Sequence, residues 1–377
     1  MILHLVLNDF SNDNRVLRSV LTSAKVDETH LLCLQGENTQ LDVDGVKVWP
    51  VKCLSRRLRG NLLFYSIKYF EIMLRWLLYG LQSKPKVVYC NDLNTLPVGC
   101  LLKLLTGASL VYDSHELFRD GILVNGRFRK VAKLIYMTER CCIKRCDFVI
   151  TVSSSIAKIL ERYYALPICH AVRNIPELPK IVSKLPLIQS PKEIHIALVG
   201  NLDPGRGVRT LLQEFASICH HGIYLHCFGK GSLKSEVENL IQDLNISSHV
   251  KLYGSLPHEV LLAKLNDFHL GIVPVIPTCK SYKFCRPNKF FEYLSCGLPV
   301  IVRGDLELSK IVIKNNLGAS YGPDDSESLL EAIRDCILSY QSIQSSVQRY
   351  NERINFHSEQ ATLKQVLQDA SSIGRSG

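Results

Sequence analysis

Short apolar runs alternate with helical patterns along almost the whole chain. Residues 2–7 form an apolar run of strand length, and a helical period follows over about 14–25. Further strand-like runs fall at 30–35, 46–51, 86–89, 109–112 and 148–152. Helical patterns fill 62–82, 96–105, 128–142 and 155–163. Strand and helix in strict alternation predict a parallel sheet with helices on both faces.

Residues 176–192 break this rhythm. Pro176, Pro179, Pro186 and Pro191 fall in a stretch without helical period, which reads as a linker, with the hinge set at 179–192. The alternation then restarts, with strands at 195–199, 224–228, 250–253, 270–274 and 299–302. Helices are expected at 208–221, 234–244, 258–268, 288–294, 326–341 and 359–369. The expected fold class is therefore α/β, with two Rossmann-like domains facing across a cleft. The domains are expected at 1–178 and 193–350, followed by a C-terminal segment at 351–377. In open α/β sheets ligands bind beyond the carboxyl ends of the strands, so the loops after the strands are where chemistry is sought.

The loop after the first C-domain strand runs Gly200-Asn201-Leu202-Asp203-Pro204-Gly205-Arg206-Gly207 into a helix. Glycines let the backbone approach a ligand, and the helix N-terminus and Arg206 supply positive charge, which suits a diphosphate. A plain strand–helix turn needs glycine as well. Gly229-Lys230-Gly231-Ser232 repeats the arrangement one strand later. The densest segment runs from Lys283 through Arg286, Pro287, Asn288 and Lys289 to Glu292. Lys289 and Glu292 are i,i+3 on one helix and can face one site. They can equally form a surface ion pair worth ~0–1 kcal/mol. Three basic residues (Lys283, Arg286, Lys289) near a helix start favour an anionic ligand.

In the N-terminal half, Asp113 and His115 fall just past a strand end. His115 has the chemistry to bond a sugar hydroxyl or carry a proton, while Asp113 fits a bracing role. Asp9, Phe10 and Ser11 in the first loop, Arg15 on the helix that Asp13 can cap, and Asn91-Asp92 after the 86–89 strand are acceptor-binding candidates. A structural role is open to each of them.

Composition adds an asymmetry. The chain has 377 residues and a formal charge of +10. Residues 1–180 hold 25 Lys/Arg against 16 Asp/Glu, whereas 181–377 hold 20 against 19. The basic half calls for an anionic partner. Arg56, Arg57 and Arg59 lead into an apolar helix, and Arg127, Arg129, Lys130, Lys133, Arg140, Lys144 and Arg145 cluster farther on. Such surfaces suit anionic lipid headgroups; no nucleic-acid motif accompanies them, so no nucleic acid is expected. The fourteen cysteines include no C-x-x-C pair, so no metal is expected and reduced thiols in a cytoplasm are. No secretory signal is expected, and no run of ~18 apolar residues predicts a membrane span.

Three strings together resemble the family-4 glycosyltransferases in order and spacing: Tyr112-Asp113-Ser114-His115-Glu116-Leu117, Val199-Gly200-Asn201-Leu202 with Arg206-Gly207, and Asn288-Lys289-Phe290-Phe291-Glu292-Tyr293-Leu294 with Gly297-Leu298-Pro299-Val300-Ile301. The resemblance implies a GT-B fold, retention at the anomeric carbon, and catalysis without a metal or other cofactor. It implies a nucleoside-diphosphate sugar in the C-terminal domain and a glycan or lipid-linked acceptor in the N-terminal domain, often at a membrane. It also implies a last helix that crosses back to the N-terminal domain. By the match, Glu292 would hold the ribose, Arg206 and Lys289 the departing diphosphate, and His115 the donor sugar. Gly200, Asn201, Gly229, Lys230, Gly231, Lys283, Arg286 and Asn288 would complete the donor site. Phe284 stands where the family often has a second glutamate, and Asn201 where it often has arginine. The function expected is sugar transfer in surface-polysaccharide synthesis, on the inner face of the plasma membrane. A non-catalytic partner of the same fold and a sugar-nucleotide epimerase are the alternatives.

Overall fold

A computed structural model of the chain describes residues 1–10, 13–36, 42–53, 62–120, 132–175 and 192–374. The chain divides into two compact units, residues 1–174 with 357–377, and residues 175–356.

The first unit is built on an eight-stranded sheet. Its strands are β1 (Ile2–Leu5), β2 (Thr29–Leu34), β3 (Asp42–Val43), β4 (Val46–Val51), β5 (Val87–Asn91), β6 (Ser109–Ser114), β7 (Phe148–Thr151) and β8 (His170–Ala171). Their spatial order is β3-β4-β2-β1-β5-β6-β7-β8, and only the β3–β4 pair is antiparallel. The helices are α1 (Asn14–Ala24), α2 (Leu62–Ser83), α3 (Leu96–Thr106), α4 (Ala132–Ile143) and α5 (Ser154–Tyr164). β1, β5 and β6 are buried along their whole length. That explains why they read as unbroken apolar runs rather than as alternating strands.

The second unit carries β9 (Ile194–Val199), β10 (Ile223–Phe228), β11 (Val250–Gly254), β12 (Leu270–Val273), β13 (Val300–Arg303) and β14 (Gly318–Tyr321). All pairs are parallel, in the order β11-β10-β9-β12-β13-β14. This is the doubly wound dinucleotide-binding order, and it reverses between β9 and β12. Helices α6 (Val208–Ala216), α7 (Lys234–Asp243), α8 (His258–Leu265), α9 (Lys280–Lys283), α10 (Asn288–Ser295), α11 (Glu307–Lys314), α12 (Ser326–Leu338) and α13 (Tyr340–Arg353) surround the sheet.

The last helix, α14 (Phe356–Ile373), packs with the first unit. Leu363, Val366, Leu367 and Ala370 join Ile2, Val87, Tyr89, Val111 and Ile150 in one buried cluster. Glu359 ties its start to β8 by accepting bonds from the backbone N–H of Arg173 at 2.6 Å and from its Nε at 2.9 Å.

Several expectations need correcting. The helix expected at 208–221 stops at Ala216, and a short 3-10 turn, Cys219–His221, precedes Gly222 at φ 75°. One helix expected at 326–341 is two, parted at Ser339. The segments 42–43, 170–171, 280–283, 307–314 and 318–321 carry elements too short or too weakly periodic to be read from pattern alone. The linker residues 179–191 lie outside the described residues.

Truncating Leu367 to alanine removes a fully buried side chain from the α14 contact. The Leu367→Ala protein should lose ~2–5 kcal/mol of stability in urea unfolding.

Candidate functional site

The second unit's site is built where its sheet reverses. The β9–β12 ladder consists only of Ile196–Leu270 and Ala197–Gly271. Beyond it the two strands part, and the Tyr293 hydroxyl fills the gap. It accepts a bond from Val199 N at 2.7 Å and donates one to Ile272 O at 3.3 Å. A Cβ at Gly271 would lie 2.3 Å from the Tyr293 ring, so this strand position has to be glycine. Tyr293 thereby pins α10 across the strand ends and sets the direction of its neighbours Lys289 and Glu292.

The loop between Gly200 and Gly207 is held from two sides. Gly207 has φ 82°, and a Cβ there would overlap the carbonyl oxygen of Pro274 after β12. On the other side, Leu202 N donates to Lys230 O at 3.0 Å, and Asp203 accepts from both Ser232 N and Ser232 Oγ at 2.8 Å. Cβ atoms at Gly229 and Gly231 would collide with the backbone of Gly200 and Leu202. Gly229 and Gly231 therefore let two loops of the protein touch. Lys230 itself is exposed, as are Asn201, Lys283 and Asn288.

Lys289 is buried, and its ammonium lies against Gly200, where a Cβ would come within 2.5 Å of Nζ. Among the described residues it forms no ion pair. Burial, and then the neighbouring Arg206 guanidinium, push its pKa down to about 8. Arg206 lies over the Tyr282 ring at 5.1 Å and likewise has no ion pair among the described residues. Lys289 thus lies in the field of Arg206, with Glu292 favouring its charge more weakly, beside the N-terminus of α6, which carries no side-chain cap. Glu292 is buried farther along α10, with His258 Nδ1 3.7 Å from its Oε1. Arg286 donates to Glu307 at 2.7 Å, so part of its expected donor charge is spent inside the fold, while its second terminal nitrogen is buried without a partner.

The first unit places its chemistry at the ends of β5 and β6. Asp113 is buried and accepts bonds from Arg15 Nε at 3.1 Å, Arg15 Nη2 at 2.5 Å and Tyr89 Oη at 2.9 Å. Burial opposes its charge, but Arg15 and then His115 hold its pKa below the usual carboxylate range. Arg15 also donates to Val172 O at 2.7 Å. Arg15 is therefore a fixture of the core and no acceptor contact. The same correction applies to Phe10, buried among Val16, Val20 and Leu31; Asn91 donates to Leu5 O at 3.1 Å, and its Oδ1 is buried without a hydrogen-bond partner. Asp9 stands against Gly36. Ser11 lies outside the described residues, as do Arg56, Arg57, Arg59, Arg127, Arg129 and Lys130.

His115 sits between two carboxylates. Its Nδ1 is 3.3 Å from Asp92 Oδ2, and its Nε2 is 3.6 Å from Asp113 Oδ2 and buried without a hydrogen-bond partner. Asp92 adopts φ 67° to reach it, an uncommon conformation for a residue with a side chain, and also accepts the His115 backbone N–H. Burial opposes protonation, but Asp92 and then Asp113 raise the pKa to about 10. Two carboxylates beside the ring favour its protonated, donating form. That narrows the two roles its sequence position allowed.

Residues 19–172 match the family model described as "Glycosyl transferase 4-like domain", and residues 193–339 match "Glycosyl transferases group 1". The chain belongs to the family-4 glycosyltransferases. Its two Rossmann-like domains are those of the GT-B fold. A sucrose-phosphate synthase from Thermosynechococcus elongatus is 17% identical, with a TM-score of 0.78 and coverage of 98% of this chain and 99% of that one. Anabaena HepE in complex with UDP-glucose is 17% identical, with a TM-score of 0.72 over 98% and 99%. WaaG, a glycosyltransferase of lipopolysaccharide biosynthesis, is 15% identical, with a TM-score of 0.64 over the full length of both chains.

Within this glycosyltransferase, sequence reasoning passed over Tyr293, Gly271, Tyr282, His258 and Asp203. The one available signal was Gly271, a glycine inside an apolar strand. The partners of the other four are distant in sequence.

Replacing Asp92 with asparagine removes the stronger charge that holds His115 protonated. NMR titration of His115 should show its pKa fall from about 10 toward 6.5 in the Asp92→Asn protein. A raised histidine pKa stabilises the fold fully below the unfolded value and loses that effect as pH rises through the folded one. Wild type should therefore lose stability relative to Asp92→Asn between pH 6.5 and about 10.

Proposed function

We propose that the glycosyltransferase moves a sugar, with retention at the anomeric carbon, from a nucleoside-diphosphate sugar to a glycan or lipid-linked acceptor. The single observation behind this reading is the buried Lys289 beside Arg206 with no ion-pair partner among the described residues. Burial and the nearby Arg206 charge lower the affinity of Lys289 for its proton, and a diphosphate would relieve that strain. Anabaena HepE, described in complex with UDP-glucose, supports the donor class.

As the bond from the anomeric carbon to the diphosphate oxygen breaks, negative charge grows on that oxygen. Lys289, Arg206 and the N–H groups at the start of α6 are aimed to stabilise it, and we propose that no metal or other cofactor is required. The acceptor oxygen attacks on the same face, and its proton passes to the departing phosphate oxygen. His115, already charged, is unsuited to take that proton; its Nε2–H is assigned to the donor sugar. Glu292 is assigned to the ribose hydroxyls. The product belongs to a capsule, O-antigen or exopolysaccharide. The enzyme works in the cytoplasm, peripheral on the inner face of the plasma membrane.

The test is thermal stabilisation and calorimetry against UDP, GDP, ADP, CMP and their sugars, with and without EDTA. One nucleoside diphosphate should stabilise by ~2.7 kcal/mol at a hundred times its Kd, regardless of EDTA. Glu292→Ala should abolish the shift and Lys289→Met should weaken it without abolishing it, and stabilisation by none of the nucleotides would overturn the reading. Binding should take up about half a proton at pH 8 as Lys289 becomes fully charged. Affinity should then fall as pH rises above 8 and level off below it. Lys289→Met should remove both the uptake and this pH dependence.

A further inference from the structure

We propose that Cys100 and Cys142 are a redox-active dithiol, which hydroperoxides convert to an intramolecular disulfide that fastens α3 to α4. The site is separate from the donor and acceptor residues assigned above and stands or falls independently of them.

All fourteen cysteines are free thiols. Four of them gather in one place in the first unit. Cys90 lies on β5, Cys100 on α3, Cys142 in the last turn of α4 and Cys146 just past it. Cys100 donates to Cys142 O at 3.7 Å, and Cys146 donates to the same oxygen at 3.6 Å. The Cys100 and Cys142 thiols also hydrogen-bond each other. Cys90 lies beneath α3: a Cβ at Gly99 would come within 2.3 Å of its sulfur, which donates to Thr95 O at 3.6 Å. Tyr69 of α2 faces Cys142 and Cys90, with its hydroxyl bonded to Asn94 O at 2.8 Å. Lys103 and Asp147, paired at 2.6 Å, lie beside Cys146.

The thiols are unequal. The hydrogen bond from Cys100, and less strongly the Arg145 guanidinium, pull the Cys142 pKa below the ordinary thiol value. Cys100 is pushed the other way by the same bond and by burial, and burial likewise raises Cys146 and Cys90. Thiolate character sets the reactivity of a cysteine, so Cys142 is the nucleophile and Cys100 the thiol that resolves it. Cys142 keeps 9% of its exposure at the helix end, where Cys141, Lys144 and Arg145 are exposed, and Cys100 is half-buried. The Cys142 thiolate attacks one oxygen of the hydroperoxide and the O–O bond breaks. The other oxygen takes the electron pair and a proton and leaves as water or an alcohol, and Cys142 becomes a sulfenic acid. The Cys100 sulfur then attacks the Cys142 sulfur, the S–O bond breaks, and hydroxide leaves as water with the Cys100 proton. Two thiols have given two electrons to one hydroperoxide, and a dithiol or two molecules of glutathione return them. The pair needs only to close from hydrogen-bond contact to an S–S bond of ~2.05 Å between helices that already pack together.

The experiment treats the reduced full-length protein with hydrogen peroxide under native conditions, then denatures it, alkylates the remaining thiols and maps its peptides by mass spectrometry. Wild type should yield a Cys100–Cys142 linked peptide, two hydrogens lighter than its parts, which dithiothreitol separates. The bridge joins positions 42 residues apart, so the oxidised protein should melt at a higher temperature than the reduced one. The Cys100→Ser protein should stop at the sulfenic acid, which dimedone traps on Cys142. The Cys142→Ser protein should leave Cys100 unmodified and consume peroxide about tenfold more slowly. Cys141→Ser should leave the bridge unchanged. Peroxide that modifies Cys141 while Cys100 and Cys142 both remain open to alkylation would overturn the proposal. A bridge from Cys142 to Cys146 would overturn the assignment of Cys100 as its partner. The wild-type map needs no variant, so a Cys142→Ser chain that failed to fold would leave the test standing.

Discussion

The parting of β9 and β12 governs the second unit. Two parallel strands that separate leave backbone groups without ladder partners inside the protein, where each unpaired group costs ~1–3 kcal/mol. The Tyr293 hydroxyl, accepting from Val199 and donating to Ile272, satisfies one group on each strand. In doing so it fixes α10 over the gap. Lys289 and Glu292 lie on the helix so fixed, and the ring that carries the hydroxyl requires glycine at 271.

The first unit solves the matching problem with charge. Its buried Asp113 is neutralised by Arg15, which also reaches Val172 near the end of the domain's sheet. Breaking such a pair strands a charge in the interior, at a cost of ~3–5 kcal/mol. The contrast between the units is functional. Arg15 and Asp113 complete each other and leave nothing for a ligand, whereas Lys289 and Arg206 are two like charges held side by side. A closed pair fixes a fold; an open pair favours an anion. His115 lies between these cases, charged by Asp92 and Asp113 yet with Nε2 unused.

Much of this was legible in the chain. The unbroken apolar runs at 2–7, 86–89 and 109–112 carried the parallel sheets, because strands covered on both faces lose the polar alternation that marks an exposed one. The string from Asn288 to Ile301 carried the family. Phe10 and Arg15 were misread as acceptor contacts because their place after a strand told where the backbone went and nothing about which way the side chains turned. A glycine that admits a ligand and one that admits another loop look alike in sequence, and the close loop approach at Gly229 and Gly231 shows only in space.

The sequence by itself determined the doubly wound units, the basic first half and the glycine-rich loops and basic residues that follow the strands of the second unit. These depend on local period and composition, which a linear chain displays. Only the tertiary structure decided which cations are spent and which are free. Arg15 and Asp113 are 98 residues apart and Arg206 is far from Lys289, yet each charge takes its meaning from the other. Coulomb energies depend on distance and burial in space, and neither is written along the chain.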